Sequence, residues 1–478
     1  MCIQSRQLLL YLLPLLASCG HGRFATVSEV AVPAKLPEGA PHYSDVCFSS
    51  RWERPREGQD SLETFSAARS FHATYLNWVY TTNPAFIHKA DSLGYRLQTS
   101  LSPTLPDSPG STDYRLGRIL DKEGHPVTAP WMKSWDNWWG CVNNPAFQSL
   151  YFRYIETALD AGACGFQVDD PAMGFLLLRN KWEDLCYCEF CQRKADSLHL
   201  TPPEIQETSV LEFHQRMRRQ AAAHAGRPVP FSCNDFEGDW ELFPASFFDF
   251  GVAELPERRA NPEYLYATLR ETRRLGKAQV FTFVSDRDWL AQKMIAAAYA
   301  TGANLLVPWD VWQGSGKPRY FGKPETYAPL YGFVRALGPW LDGYEDAFYA
   351  TTQADTRFQD THALPVSFVD YRRQVHAFVR AKPGQPDAPV VVHLIDWHVL
   401  MAPFSIRLNE KRFFKKGITS VELLTPAPYD AQQHQLAEQT GDFSHLVVVQ
   451  KLGFRKLGHL LLLDVPRLDQ HWGVLVVR

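Results

Sequence analysis

Between Tyr43 and about Asp342 short apolar runs alternate with stretches of helical period, and few folds accept that pattern. Strand-helix-strand alternation is the signature of parallel βα units. Eight strands are expected, at Asp45–Ser49, Ala73–Val79, Arg96–Leu101, Gly165–Val168, Val229–Cys233, Phe248–Ala253, Gln279–Val284 and Asn304–Pro308. Helices are expected at Ser61–Phe71, Pro84–Leu93, Pro145–Ala161, Asp184–Ser197, Glu204–Ala225, Pro262–Leu275 and Trp289–Thr301. In the last of these Leu290, Met294, Ile295 and Ala298 share one face. Eight such units over roughly 300 residues fit a (β/α)8 barrel with insertions. The clearest insertion is Ser102–Asn144, rich in Pro, Gly and Trp and without a period. A stretch of that kind in a compact domain is usually functional.

After Gly343 the pattern changes to short strands separated by turn signals such as Lys382-Pro383-Gly384 and Pro426-Ala427-Pro428. The strands read as His362–Asp370, Gln374–Ala381, Pro389–Trp397, Phe404–Leu408, Ser420–Thr425, His445–Lys451, His459–Asp464 and Gly473–Arg478, an antiparallel β-sandwich. The expected organisation is thus a leader at 1–18, a tether at 19–41, a (β/α)8 barrel at 42–343 and a C-terminal sandwich at 344–478.

Composition narrows the function. Hydrophobic residues make up 45% and the net charge is −3, which excludes a disordered chain. Lys+Arg number 49 against 52 Asp+Glu, with no basic block, so no nucleic-acid partner is expected. The aromatic content (14 Trp, 19 Tyr and 30 Phe) suggests ring faces offered to a ligand.

At the N-terminus Arg6 precedes a short apolar run, Leu8 to Leu16, too short to span a bilayer as a mature helix. It ends Leu16-Ala17-Ser18-Cys19, which resembles a bacterial lipoprotein lipobox. The resemblance implies cleavage before Cys19, lipid on its sulfur and an exported, membrane-anchored protein in the periplasm or outer membrane. A plain secretory signal is the alternative.

Seven further cysteines follow Cys2 and Cys19, an odd number for a disulfide framework. Cys186, Cys188 and Cys191 are spaced so that three thiolates converge, and Cys141 is the candidate fourth ligand of a closed tetrahedral zinc site. One local disulfide plus free thiols is the alternative in an oxidising compartment. No catalytic cofactor is expected.

Reacting groups of such a barrel sit where its strands end at the C-terminal face. Strand four ends in Asp169-Asp170-Pro171, five in Asn234-Asp235, six in Glu254, seven in Ser285-Asp286 and eight in Trp309-Asp310. Carboxylates delivered by five successive strands to one rim are hard to ascribe to packing. Two of them, one attacking or stabilising a sugar cation and one protonated to assist the leaving oxygen, suit glycosidic bond cleavage. Crowding them raises one pKa and so produces the acid. Asp169 and Glu254 are the expected catalytic pair, with Asp170 tuning or orienting. Asn234, Asp235, Asp286 and Asp310 are expected to bind substrate. Trp78, Trp135, Trp138 and Trp309 are expected to stack on sugar rings, with Trp131, Trp139 and Trp312 near the same loops. Blander readings exist: Asp169, Asp170 and Asp286 could cap helices, and any one Trp could plug the barrel mouth.

The Gly165–Pro171 segment is similar to the strand-four Asp motif of retaining glycoside hydrolases of the α-galactosidase and α-fucosidase kind, which implies Asp169 as nucleophile. Gly140-Cys141-Val142-Asn143-Asn144-Pro145 and the Cys186/Cys188/Cys191 cluster resemble the structural zinc site of the family forty-two β-galactosidases. Those enzymes carry Glu at the ends of strands four and seven. Here the ends are Asp169-Asp170 and Asp286, so their mechanism does not transfer. The expectation is a glycoside hydrolase acting on an oligo- or polysaccharide. Its rivals are a non-catalytic carbohydrate-binding lipoprotein and a zinc-dependent deacetylase, which would need an open metal site.

Overall fold

The computed structural model describes residues 25–51, 63–81, 83–105, 115–128, 138–173, 186–313, 317–352 and 363–478. The leader, Cys19, Trp131 and Trp135 lie outside these residues. Among the described residues no helix is long and apolar enough to cross a membrane.

Eight parallel strands run in sequence order: β1 (Cys47–Phe48), β2 (Tyr75–Val79), β3 (Arg96–Leu101), β4 (Gly165–Val168), β5 (Phe231–Asn234), β6 (Phe250–Glu254), β7 (Ala278–Thr282) and β8 (Asn304–Leu305). The Val307 N–H donates to the Cys47 carbonyl at 2.9 Å and draws the ends of the sheet together, so the expected (β/α)8 barrel is present. Strand pleating sorts the residues. Phe166, Phe231, Cys233, Phe281 and Leu305 face the helices, whereas Tyr75, Phe250, Val252 and Val280 fill the interior. Proline starts several of the helices. Asn144 caps Pro145–Asp160 by accepting from the Ala146 N–H, and Asn261 caps Pro262–Arg274 by accepting from Tyr264.

After a short ladder of β9 (Trp309–Val311) with β10 (Tyr320–Phe321) and the helix Pro324–Ala336, two antiparallel sheets form the sandwich. One orders β11 (Glu345–Thr351), β13 (Val375–Ala381), β14 (Val390–Asp396), β20 (Trp472–Val477), β16 (Val421–Pro426) and β17 (Val447–Leu452). The other orders β12 (Val366–Phe368), β15 (Phe404–Asn409), β19 (Leu460–Val465) and β18 (Phe454–Leu457). Phe378, Val391, Ile395, Trp472 and Val474 of the six-stranded sheet share a core with Tyr299 and Phe333 of the barrel helices. The sandwich is therefore packed onto the barrel.

The expected tether is not free from residue 25 onward. Val27 and Ala31 bury in the sandwich core, and Lys415 pairs with Glu29 at 3.2 Å. Farther on, Ala40 packs with Tyr75 and Cys47, and Arg96 donates to the Gly39 carbonyl at 2.7 Å. These residues cover the N-terminal end of the barrel. Apolar side chains in the segment, Val27 and Ala40 among them, give it surfaces to bury.

Candidate active site at the C-terminal face of the barrel

Three strand ends bring the expected catalytic residues together. Along β4 the pleat turns Gln167 inward and Val168 outward, so Asp169, the next residue, points into the mouth. The backbone then kinks: Asp170 adopts φ 46°, and the Pro171 carbonyl accepts a 2.6 Å bond from the buried His214 Nε2. Burial holds His214 down at about 4, so the ring is neutral and has one N–H to give. Asn234 and Glu254 occupy the inward positions at the ends of β5 and β6.

The Asn234 amide links the acids. Its Nδ2 lies 3.4 Å from Asp169 Oδ1 and 3.4 Å from Glu254 Oε2, so those oxygens are no more than twice that distance apart. Asp169 also accepts from the Tyr80 hydroxyl and, at 3.1 Å, from the Asp170 N–H. Three donors thus converge on this one carboxylate and fix its place. Glu254 is held differently. Burial pushes its carboxyl up, the Arg51 guanidinium 3.6 Å away pulls it back, and Asp169 pushes it up again; the net direction is upward. Burial, followed by Asp169 and Glu254, drives Asp170 well above the carboxylate range. Two acids whose surroundings favour their protons therefore stand beside a third that three donors hold in place. Asp170 and Asn234 also line a small cavity with Phe236, Leu242 and Phe243.

Several strand ends of this rim carry left-handed backbone at residues other than glycine: Arg51, Trp78, Asp170, Phe236 and Asp310, with φ from 46° to 61°. Such conformations cost of order 1–3 kcal/mol each and cluster at functional sites. At Trp78 the cause is a register shift in β2 that admits an extra residue, and the bulge leaves Tyr80 aimed at Asp169.

Other expected residues lie elsewhere. Asp235 is a correction: it follows Asn234 by one residue and so points outward between sheet and helices, fully buried. It accepts from Gln279 at 3.3 Å, and burial raises its carboxyl to about 8. Asp310 is likewise buried, paired with Arg319 rather than open to substrate. Trp309 is buried against Phe48, ring centroids 5.3 Å apart, and Trp78 is buried under the Arg51 guanidinium, 3.3 Å from the ring centroid. Neither indole offers a free face. Asp286 is exposed on the loop after β7. Trp138 is half-buried with Arg115 over it, Trp139 is buried beside the cysteine cluster, and Trp312 is 41% exposed. Two residues absent from the expectation, Tyr80 and Arg51, follow strands two and one. A scan of all eight strand ends for polar groups, rather than of five for acids, would have found them.

The four expected cysteines do meet. Cys141, from the insertion after β3, and Cys186, Cys188 and Cys191, after β4, are buried with all four sulfurs within 4.8 Å of one another. Cys141 Sγ lies 3.6 Å from Cys188 Sγ and 3.4 Å from Cys191 Sγ, and none is in a disulfide. A tetrahedral ion with Zn–S bonds of about 2.3 Å sets its sulfurs about 3.8 Å apart, so the set fits such an ion. Asn143 Nδ2 donates to Cys191 Sγ at 3.3 Å, as a thiolate ligand wants.

No family model and no curated protein matches the chain. Solved structures do. The cycloisomaltooligosaccharide glucanotransferase of a Paenibacillus species, complexed with cycloisomaltoheptaose, is 10% identical, with 91% of this chain and 85% of that one covered and a TM-score of 0.54. The noncanonic maltogenic α-amylase of Thermotoga neapolitana is 9% identical, with 91% and 98% covered and a TM-score of 0.50. At such identity the likeness is one of fold.

Proposed function

We propose that this protein is a retaining glycoside hydrolase of oligo- or polysaccharides. The observation that carries the reading is the Asn234 amide, 3.4 Å from both Asp169 and Glu254. It bounds the separation of the two facing carboxyl oxygens at twice that distance, which admits the roughly 5–5.5 Å of retaining pairs and only the short end of the 6.5–9.5 Å range of inverting ones. The two solved enzymes of like fold are named for a glucanotransferase and an α-amylase activity, which agrees with saccharide chemistry at such a barrel mouth.

Asp169 attacks the anomeric carbon as the carbon–oxygen bond to the leaving group breaks, and Glu254 passes its proton to that oxygen. Water then gives a proton back to Glu254 and attacks the same carbon, releasing Asp169 as carboxylate. Tyr80, Asn234 and the Asp170 N–H fix Asp169. The four cysteines hold zinc in this reading; four thiolates leave no open position, so the ion ties two mouth loops together and takes no part in turnover. On the lipobox-like sequence alone, we further place the enzyme outside the cytoplasm, anchored through Cys19.

A polysaccharide digestion panel followed by reducing-sugar release tests the reading. Release by the wild type and its loss in Asp169→Asn, with the fold intact by circular dichroism, supports it. Glycans bound but never cut by the wild type would instead support a carbohydrate-binding protein.

A further inference from the structure

Arg51 sits awkwardly for a site that needs Glu254 protonated. Its guanidinium is 3.6 Å from Glu254 Oε1, longer than a hydrogen bond, and a cation there works against the acid. The arginine is nonetheless built in place. Its backbone is left-handed at φ 61°, its N–H donates to Ser49 Oγ at 3.2 Å, and its guanidinium carbon sits over the Trp78 ring, 3.3 Å from the ring centre, on the β2 bulge. Two other acids of the mouth have partners. Asp310 is paired with Arg319, and Asp169 accepts from Tyr80, Asn234 and the Asp170 N–H. Among the described residues Glu254 is the one carboxylate that pairs with Arg51 within 4 Å, so with Glu254 in its acid form the guanidinium is left without an ion-pair partner at that range, next to where a sugar between Asp169 and Glu254 would rest.

From this geometry we infer that Arg51 is a specificity-determining residue that receives the carboxylate of an acidic sugar, so that the substrate class is a uronic acid-containing glycan. The inference rests on the hydrolase reading above. A stacked guanidinium presents a fixed, planar fork that matches a carboxylate bidentately. Stacking on Trp78 limits the side-chain entropy lost when the fork engages. The substrate carboxylate also resolves the conflict at Glu254: once it neutralises Arg51, the cation no longer draws the proton off the acid. A neutral sugar would leave that conflict standing.

The test separates binding from turnover. In the Asp169→Asn background, calorimetry compares D-glucuronate and D-galacturonate with D-glucose and D-galactose, with sodium acetate as the control for simple anion binding. The wild type is assayed on 4-methylumbelliferyl α- and β-glucuronides and galacturonides against the matching glucosides and galactosides. The expected result is at least tenfold tighter binding and at least tenfold higher kcat/KM for the acidic sugars. Arg51→Gln should abolish both preferences. Arg51→Lys, which keeps the charge and serves if the glutamine variant fails to fold, should retain part of them. Equal handling of acidic and neutral sugars, binding matched by acetate alone, or a preference that survives Arg51→Gln would overturn the inference. Hydrolysis of neutral glycosides with no role for Arg51 would sink the substrate class and leave the hydrolase standing. Arg51-dependent capture of uronates with no cleavage of any glycoside would do the reverse.

Discussion

Replacing Glu254 by Gln isolates proton donation from the rest of the mechanism. The amide is close in size to the carboxyl and can keep Asn234 and Arg51 near their present places, 3.4 and 3.6 Å away, but it has no acidic proton. Proton transfer by a placed side chain contributes about 10²–10⁴ in rate, or about 3–5 kcal/mol of barrier. That full loss should appear with natural glycosides and unactivated aryl glycosides, whose leaving oxygen must be protonated. With 2,4-dinitrophenyl glycosides the leaving group departs unaided, and the bond-breaking step should fall by less than about tenfold, within one 1.4 kcal/mol step. The pH profile carries a second sign. Burial raises the Glu254 carboxyl, so wild-type activity should decline on the alkaline side as the acid loses its proton. In Glu254→Gln that alkaline limb should vanish. Steady-state and burst kinetics on a leaving-group series read both effects. An equal loss on every leaving group would assign Glu254 to binding instead, and no loss would remove it from the mechanism.

Three further outcomes follow from the same geometry. Purified protein should carry about one zinc ion per chain by elemental analysis; chelation or Cys191→Ser should lower Tm by several degrees while turnover at moderate temperature persists, and activity lost in proportion to metal would contradict a structural role. Asp235 has a folded-state carboxyl at about 8 against an unfolded value of about 3.9, so the native state holds a proton that the unfolded chain releases. Its contribution is fully present below about pH 4 and is lost as pH rises toward 8, a decline of up to a few kcal/mol. Urea unfolding at pH 5 and pH 8 should therefore show a smaller pH decline in Asp235→Asn than in wild type, and an unchanged slope would refute the burial argument. Gly251→Ala should be destabilised by more than about 2 kcal/mol in the same assay, because a Cβ there would lie 2.1 Å from the Asp235 carboxylate; wild-type stability would contradict the packing.

The alternation of apolar runs was sufficient to place the barrel, because each βα unit must bury one face of its strand and one of its helix. Strands β3 and β4 carry the expected bounds, and the others shift by one to three residues at an end, where burial rather than propensity decides pairing. Glu345–Thr351 was not legible as a strand: it begins with two acids, and its pairing with β13 is what orders it. The helix Ala431–Thr440 escaped for a related reason, since its residues are mostly polar and it docks through only His434 and Ala437. At the site, the convergence of Asp169, Asn234 and Glu254 followed from strand ends alone. The sides of those strands did not. A one-residue step separates Asn234 in the mouth from Asp235 in the helix layer, and an acid by itself does not announce which side it takes. The bulge that seats Trp78 under Arg51 likewise leaves no mark in the apolar pattern. The aromatic excess pointed to sugar stacking, yet Trp78, Trp139 and Trp309 are consumed by packing around the mouth.

The nucleophilic role proposed for Asp169 is best tested by trapping an ester on it. A 2- or 5-fluoro glycosyl fluoride of whichever sugar the digestion panel selects should slow the second step enough for the ester to accumulate. Mass spectrometry of the digested protein should find one fluoroglycosyl unit on the peptide bearing Asp169 and none in Asp169→Asn. Label on Glu254 or Asp170, or steady turnover with no ester at any residue, would contradict the account.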